Sequence, residues 1–345
     1  MKKLLFTGLL AIVVFISGFK TEGDVYTTCI GFYNLENLFD TLDTPNVRDT
    51  EFTPEGEKKW NTAKYQEKLK NMAQVIAQLG TEMNPKGVAA IGVCEVENKS
   101  VLKDLVKEEA ILNRNYQIIH YDSPDRRGID VALLYQADLF KVTNSKSYTL
   151  KMPHIQDYAT RDQLLVSGEL EAGEKLHIIV CHWPSRRGGE KKSRPLRIAA
   201  AELAKSIIDS LHQEDPNAQV MLMGDLNDDP INASLKKGLK ATGDKAMVKP
   251  QGMFNSMYDM YKRGNGTLAY RDNWNLFDQI VVSEGLLQEK GYYFYASKVF
   301  NKPFLKNPEG SFKGYPYRTY VGPNYQGGYS DHFPVYAVLV KKAND

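Results

Sequence analysis

Cysteine, an excess of either charge and long apolar runs are all scarce in this chain of 345 residues. The three cysteines, Cys29, Cys94 and Cys181, each lie inside an apolar, strand-like run. Their odd number and their spacing exclude a disulfide framework and a zinc motif, and leave buried thiols acting as small hydrophobes. The formal net charge is only +2, whereas a dedicated DNA-packaging or transcription protein carries a strong basic excess. No internal repeat, low-complexity tract or Pro/Gly/Ser linker divides the chain, so one domain from residue 23 to the C-terminus is expected. A hydrophobic fraction of 42% beside 25% charged residues supports a sizeable core and excludes a disordered chain.

The one long uncharged run, Leu4 to Phe19, follows Lys2 and Lys3 and is closed by Lys20, Thr21 and Glu22. It is short and poorly flanked for a membrane span but suits an export signal. Residues 1–22 are therefore read as a signal peptide, with Ser17 and Gly18 near the cleavage point and an uncleaved anchor as the alternative. No cysteine closes the run, against a lipoprotein anchor. The expected product is a secreted or periplasmic monomer with no stable membrane association after cleavage.

Periodicity then supplies the elements. Val25–Tyr33 reads as a first strand. Trp60–Leu79 reads as a helix with Tyr65, Leu69, Met72, Ile76 and Leu79 on one face. Val88–Val93 is a buried strand, and Asn98 caps a short helix. Further strands are expected at Tyr116–Tyr121, Ile129–Tyr135, Leu164–Leu170, Leu176–Cys181, Val220–Met223, Phe277–Val282 and Pro334–Val340. A long helix runs from about Pro195 to Leu211, with Pro195 in its first turn. Many strands with few helices predict two packed sheets with helices outside. A doubly wound parallel sheet would need helices within 115–182, and none is legible there.

Polar residues recur beside these strands: Asn34 and Glu36 in YNLEN, Glu95 in IGVCEVEN, Asp130 in RRGIDVALLY and His182 in CHWPSRRGG. Asp225 and Asn227 follow in GDLND, Asp278 in FDQIVVS, and Asp331 and His332 in GGYSDHFPV. Residues two apart on an extended segment point the same way, so Asn34 with Glu36, and Asp225 with Asn227, can each face one pocket. Gly224 is read as giving the backbone freedom to turn there. Hard oxygen donors suit Mg²⁺ or Mn²⁺, with Ca²⁺ as a further option, rather than structural zinc. A cation held by carboxylates can neutralise phosphate oxygens, and a His–Asp pair can orient and stabilise charge. Each motif alone is weak, because a lone Glu at a strand end is usually solvated and GDLND has the composition of a turn. The ordered set is what carries weight.

That set resembles the endonuclease/exonuclease/phosphatase superfamily, the deoxyribonuclease-I-like metal-dependent phosphoesterases. GDLND and SDHFPV are its most specific pieces, and the resemblance runs from about Cys29 to Val340. It implies a four-layer α/β sandwich of two sheets, and residues 23–345 as the catalytic domain. By the same resemblance Glu95 is the principal metal ligand, Glu36 and Asp331 are in the metal region, and Asn34 helps to hold the phosphate. Asp225 positions or deprotonates the attacking water with Asn227 beside it. His332 contacts phosphate with Asp278 as its partner, and His182 is the second histidine of the deoxyribonuclease- and sphingomyelinase-like branches. His182 is expected to assist the leaving group, with Asp130 as its partner. Gln279 stands where the family often has histidine. Arg161, Arg186 and Arg187 have no counterpart in the pattern and are read as substrate-binding candidates, with surface solubility as the alternative.

The reading is thus a nuclease-like phosphodiesterase acting on a phosphate ester, with nucleic acid as a candidate substrate. A phosphomonoesterase or phospholipid-headgroup hydrolase is the alternative, and a non-catalytic binding module the third. The basic stretch Arg186–Arg197 and the aromatic-rich Tyr315–Tyr329 would suit nucleic acid, or simple loop packing.

Overall fold

The computed structural model describes residues 25–343, so the proposed signal segment 1–22 lies outside the described residues. Two sheets pack face to face. The first has six strands, in the spatial order Tyr293–Val299, Val335–Lys342, Val25–Leu38, Val88–Val96, Asp130–Gln136 and Tyr116–His120. The second has seven, in the order Phe140–Tyr148, Gln163–Leu170, Lys175–His182, Val220–Asp225, Asp278–Ser283, Met253–Asn255 and Ala241–Thr242. Strands buried on both faces read as continuous apolar runs, which is why these central segments were visible in the sequence.

Three apolar layers follow from this. Ile30, Phe32, Leu133, Val180, Met223 and Ile280 meet between the sheets. The outer face of the first sheet packs on the helix Thr62–Gln78 through residues such as Leu69, Met72 and Ile76. The outer face of the second packs on the helix Glu190–Glu214 through Ala201, Ala204 and Ile208. The result is the expected four-layer α/β sandwich, with no α-helix between Tyr116 and His182. Among the described residues no helix is long and apolar enough to cross a membrane. All three cysteines are free and buried.

Strand direction decides where the polar ends meet. Val25–Leu38 runs parallel to Val88–Val96, and Lys175–His182 runs parallel to Val220–Asp225. Their C-terminal ends therefore share one edge. Asp278–Ser283 is antiparallel to Val220–Asp225, and Val335–Lys342 is antiparallel to Val25–Leu38, so those strands bring their N-terminal ends to the same edge. Across the second sheet His182, Asp225 and Asp278 stand in one register row.

Several expectations need correction. Phe140–Tyr148 and Tyr293–Val299 are strands that the sequence did not suggest. Both are sheet edges, and edge strands carry polar residues that blur the apolar signal. The helix around Pro195 begins a turn earlier, at Glu190, so Pro195 is inside it. Gly224 does not turn the chain. It allows close approach of the neighbouring strand, because a Cβ there would lie 2.1 Å from the carbonyl oxygen of Cys181. The turn comes later, at Asn227, whose φ is 50°.

One buried ion pair ties the long helix to that turn. Arg197 Nε lies 2.7 Å from Asp228 Oδ1, and neither side chain is exposed. Asp228 Oδ2 also accepts the Ser234 hydroxyl at 2.6 Å. Arg197→Ala is expected to lower the unfolding free energy by about 3 kcal/mol, the low end for a broken buried pair because Arg186 still reaches Asp228. Chemical denaturation checks this; an unchanged midpoint would mean that the pair contributes nothing net.

Candidate active site

Asn34 is buried near the end of its strand and connects three segments. Its Nδ2 donates to Asp225 Oδ2 at 3.2 Å, its Oδ1 accepts the Glu36 amide at 2.9 Å, and its carbonyl accepts the Ser330 hydroxyl at 2.7 Å. Ser330 Oγ in turn accepts the His332 amide at 3.1 Å. A buried amide with its polar atoms spoken for is a rigid part. It fixes the first strand against both GDLND and SDH.

The backbone is strained where the carboxylates turn inward. Glu36, Asn37, Glu95 and Asn227 all have left-handed φ, between 49° and 59°. For non-glycine residues such conformations cost about 1–3 kcal/mol each and concentrate at functional sites. At Glu95 the strain aims the carboxylate along the edge. Its Oε2 accepts the Asn37 amide at 3.0 Å, and its Oε1 faces His182 Nε2 at 3.9 Å. Asp225 Oδ1 accepts the Asn227 amide at 2.9 Å. Its Oδ2 lies 3.6 Å from His182 Nε2 and 3.8 Å from His332 Nε2. Asn227 Nδ2 donates to the Trp183 carbonyl at 3.0 Å.

His332 Nδ1 donates to Asp278 Oδ2 at 2.7 Å. Burial pushes this imidazole's pKa down, but Asp278 and Asp225 outweigh burial and hold it well above the usual histidine value. The two carboxylates thus favour the imidazolium form of His332. His182 is the opposite. Burial first, then Arg161, Arg127 and His332, hold its pKa well below the ordinary value. The two imidazoles are pushed in opposite directions, His332 toward its charged form and His182 away from it, and both face Asp225. Burial raises the Asp225 carboxyl, with His332 opposing.

The structure brings Asn34, Glu36, Glu95, His182, Asp225, Asn227, Asp278, Asp331 and His332 to one edge. It does not bring Asp130 to His182. Asp130 Oδ2 lies 2.9 Å from His120 Nε2 on the adjacent strand, and its Oδ1 accepts the Ser123 amide at 2.8 Å. A short carboxylate there reaches its sheet neighbour rather than the opposite sheet. Arg186 also departs from expectation. Its guanidinium bonds to the Asn227 carbonyl, Asp228, Asp229 and Asn232 at 2.9–3.3 Å and covers the Phe277 ring, so it clamps the GDLND turn. Arg161 is buried rather than a surface residue, and bonds to Asp125 and the Trp183 carbonyl. Arg187 is exposed. Gln279 is buried too and fastens the same turn, donating to the carbonyls of Asp228 and Leu276.

Two cations escaped the sequence reading. Arg318 bridges Glu36 (Nε to Oε1, 3.3 Å) and Asp331 (Nη2 to Oδ2, 2.8 Å). Lys68 is fully buried, bonds to Thr319 Oγ1 and the Tyr329 carbonyl, and lies 4.0 Å from Glu36. Lys68 had a detectable signal: it falls on the inward stripe of Tyr65, Leu69 and Met72. Arg318, in an aromatic loop, had none.

The donor set fits a divalent cation. Five carboxylates (Glu36, Glu95, Asp225, Asp278 and Asp331) gather at this edge; Lys68 and Arg318 lie by Glu36, Arg318 by Asp331 and His332 by Asp278, while Glu95 has no lysine or arginine partner among the described residues. Glu95 Oε1 has no hydrogen bond among the described residues, so it is the carboxylate oxygen most open to a cation. Glu36 and Asp331 already share Arg318, which leaves their oxygens less open. A separate group, His120, Asp122 and Asp130, has ligand atoms within 4.8 Å of one another. There His120 Nε2 is already paired with Asp130 and Asp122 is exposed. Glu95 lies beside the water-orienting and phosphate-contacting candidates, and that group does not.

Comparison with known proteins supports the same frame. A model of the Endonuclease/Exonuclease/phosphatase family matches residues 29–341. No curated protein matches the sequence. Among solved structures, an endonuclease/exonuclease/phosphatase family protein from Bacteroides thetaiotaomicron is 16% identical, with a TM-score of 0.53 over 94% of this chain and 98% of that one. A mannosyl-6-phosphatase from B. thetaiotaomicron is 18% identical, with a TM-score of 0.53 over 90% and 99% of the chains. TDP2 from D. rerio, complexed with a single-strand DNA product, is 14% identical, with a TM-score of 0.52 over 91% and 98%. Identities this low establish a shared fold and no more.

The His332–Asp278 pair makes a direct prediction. Asp278 favours the imidazolium, so Asp278→Asn is expected to move the His332 titration to lower pH in an NMR pH series. An unmoved titration would show that Asp278 only positions the ring.

Proposed function

The chain belongs to the endonuclease/exonuclease/phosphatase family, and from that premise we propose that it is a nuclease-like phosphodiesterase that cleaves with an activated water. The family's members are divalent-metal-dependent phosphoester hydrolases, and this chain is one. The observation that carries the finer reading is the placement of Asp225 between two imidazoles, 3.6 Å from His182 and 3.8 Å from His332, braced by Asn34 and Asn227.

Glu95 would hold Mg²⁺ or Mn²⁺, with Glu36 and Asp331 behind it, and the ion would supply neutralisation of the phosphate oxygens. The protein's own groups do the rest. Asp225, raised by burial, orients the water and accepts its proton. The water oxygen bonds to phosphorus as the bond to the ester oxygen breaks, and the departing oxygen takes up a proton from solvent water, matching the one that Asp225 accepts and later returns to solvent. His332, charged and fixed by Asp278, binds a phosphoryl oxygen. His182 is held neutral, so it donates one N–H to the phosphoryl group and is a poor proton store. This differs from the leaving-group role expected for it. Beside Arg318 and Asp331 lies a cavity of about 430 Å³ lined by Tyr270, Phe312 and Tyr315 among others. Tyr270 and Phe312 are exposed, and exposed rings suit stacking of a nucleobase, which favours a nucleic-acid diester.

Turnover of bis-nitrophenyl phosphate, nitrophenyl phosphate and a single-stranded oligonucleotide tests this. Diesters are expected to be preferred over the monoester, and Asp225→Asn to lose about 10²–10⁴-fold in kcat. His182→Ala is expected to lose similar factors on both diesters, because a phosphoryl contact is shared by both. A preference for the monoester would replace this reading with a phosphomonoesterase. A loss confined to the oligonucleotide, whose leaving alkoxide needs a proton, would restore the leaving-group role to His182.

A further inference from the structure

On the other side of His182 the chain builds a second cavity, of about 580 Å³, lined by Arg48, Arg126, Arg127, Arg161 and Arg187. Its lining carboxylates are Asp125 and Asp157. Asp125 is already paired with Arg161 at 3.1 Å. Five arginines against two aspartates leave three positive charges in one concavity of a nearly neutral protein. Four of the five arginines are exposed, and no hydrogen bond or ion pair of the Arg48 or Arg187 guanidinium appears among the described residues. Arg161 is buried, and its Nε has no hydrogen-bond partner.

The cavity adjoins the active site through one carbonyl. Arg161 Nη2 donates to the Trp183 oxygen at 2.6 Å, and Asn227 Nδ2 donates to the same oxygen at 3.0 Å. Trp183 follows His182 directly, and Pro184 and Ser185 then form part of the cavity wall. The loops that carry the arginines are tied together. The Arg48 amide donates to the Arg126 carbonyl at 3.0 Å, and Arg126 Nη2 to the Asp157 carbonyl at 2.8 Å. Forked guanidinium groups are the side chains best suited to phosphate oxygens.

We propose that this arginine-lined cavity binds a second phosphate of the substrate, next to the one being cleaved, so that the enzyme selects esters carrying at least two phosphates. The inference rests on the phosphodiesterase reading and deepens it. The catalytic edge handles the scissile phosphate, the aromatic cavity includes Arg318 and Asp331, and the arginine cavity adjoins the edge through the Trp183 carbonyl. The second phosphate has two possible sources: the next linkage of a nucleic-acid strand, or a terminal phosphomonoester.

Thymidylate substrates separate the two. TpT carries one phosphate, pTpT adds a terminal phosphate, and TpTpT adds an internal one. For the wild type, KM for pTpT or TpTpT is expected to be about tenfold below that for TpT, the scale of one charge-assisted contact. In Arg48→Ala/Arg187→Ala that advantage should vanish, while TpT changes far less. An advantage for TpTpT alone identifies the strand as the source, and one for pTpT alone identifies the terminus. Equal KM values for all three in the wild type, or equal losses on all three in the double variant, overturn the proposal. Fluorescence anisotropy of labelled TpT, pTpT and TpTpT on Asp225→Asn provides a readout that does not need turnover. If no thymidylate is cleaved yet pTpT or TpTpT binds more tightly than TpT, and only with the arginines present, the nuclease reading fails and the cavity assignment stands. Equal binding of all three defeats the cavity assignment alone.

Discussion

Five carboxylates share one water-poor sheet edge, and much of the surrounding structure answers that constraint. Buried like charges raise one another's pKa values and oppose folding unless they are compensated. Burial and Asp331 raise Glu36, with Lys68 and Arg318 opposing. Burial pushes Asp331 up too, but Arg318 and His332 outweigh it and hold this carboxyl below its usual range. His332 is driven to its charged form by the Asp278 and Asp225 carboxylates. Glu95 has no lysine or arginine partner among the described residues, and its Oε1 carries no hydrogen bond there. Such a site trades stability of the empty protein for affinity toward a cation, in keeping with the strained backbone at Glu36, Glu95 and Asn227.

The sandwich delivers this arrangement because it mixes parallel and antiparallel neighbours. Parallel pairing puts Glu36 with Glu95, and His182 with Asp225, at C-terminal strand ends, while antiparallel pairing returns Asp278 and His332 to the same edge. The turn after Asp225 is then held from several sides. Arg186 and Gln279 grip its carbonyls and carboxylates, and Arg197 anchors Asp228 from the long helix. These residues touch no reacting atom; they keep the Asp225 carboxylate and the Asn227 amide in register.

The sequence made the central strands, the helix Thr62–Gln78 and the Asn98 cap legible, because each has a short-range physical signature: an apolar run, a helical period or a capping side chain. The polar residues at the strand ends were legible as a set for the same reason, since each follows or opens an apolar run. What remained hidden depends on contacts far apart in the chain. Nothing near Arg318 reveals that it spans Glu36 and Asp331. Asp130 looked like a histidine's partner, and it is one, but the histidine is His120 on the adjacent strand. Arg186 was a substrate-binding candidate, with surface solubility as the alternative; its donors are turned to the GDLND loop instead. The downward shift of the His182 pKa comes from burial and from Arg161 and Arg127, which only the folded chain places nearby.

The claim that this carboxylate edge works only when a divalent cation completes its charge balance is tested most directly by a metal titration of turnover. The protein is stripped with a chelator and bis-nitrophenyl phosphate hydrolysis is followed as Mg²⁺ or Mn²⁺ is added back, for the wild type and for Glu95→Gln. The account predicts no turnover in the stripped wild type, saturable recovery with added cation, and a much higher cation requirement for Glu95→Gln. Full turnover by the stripped wild type, or identical titrations for the two proteins, would contradict it.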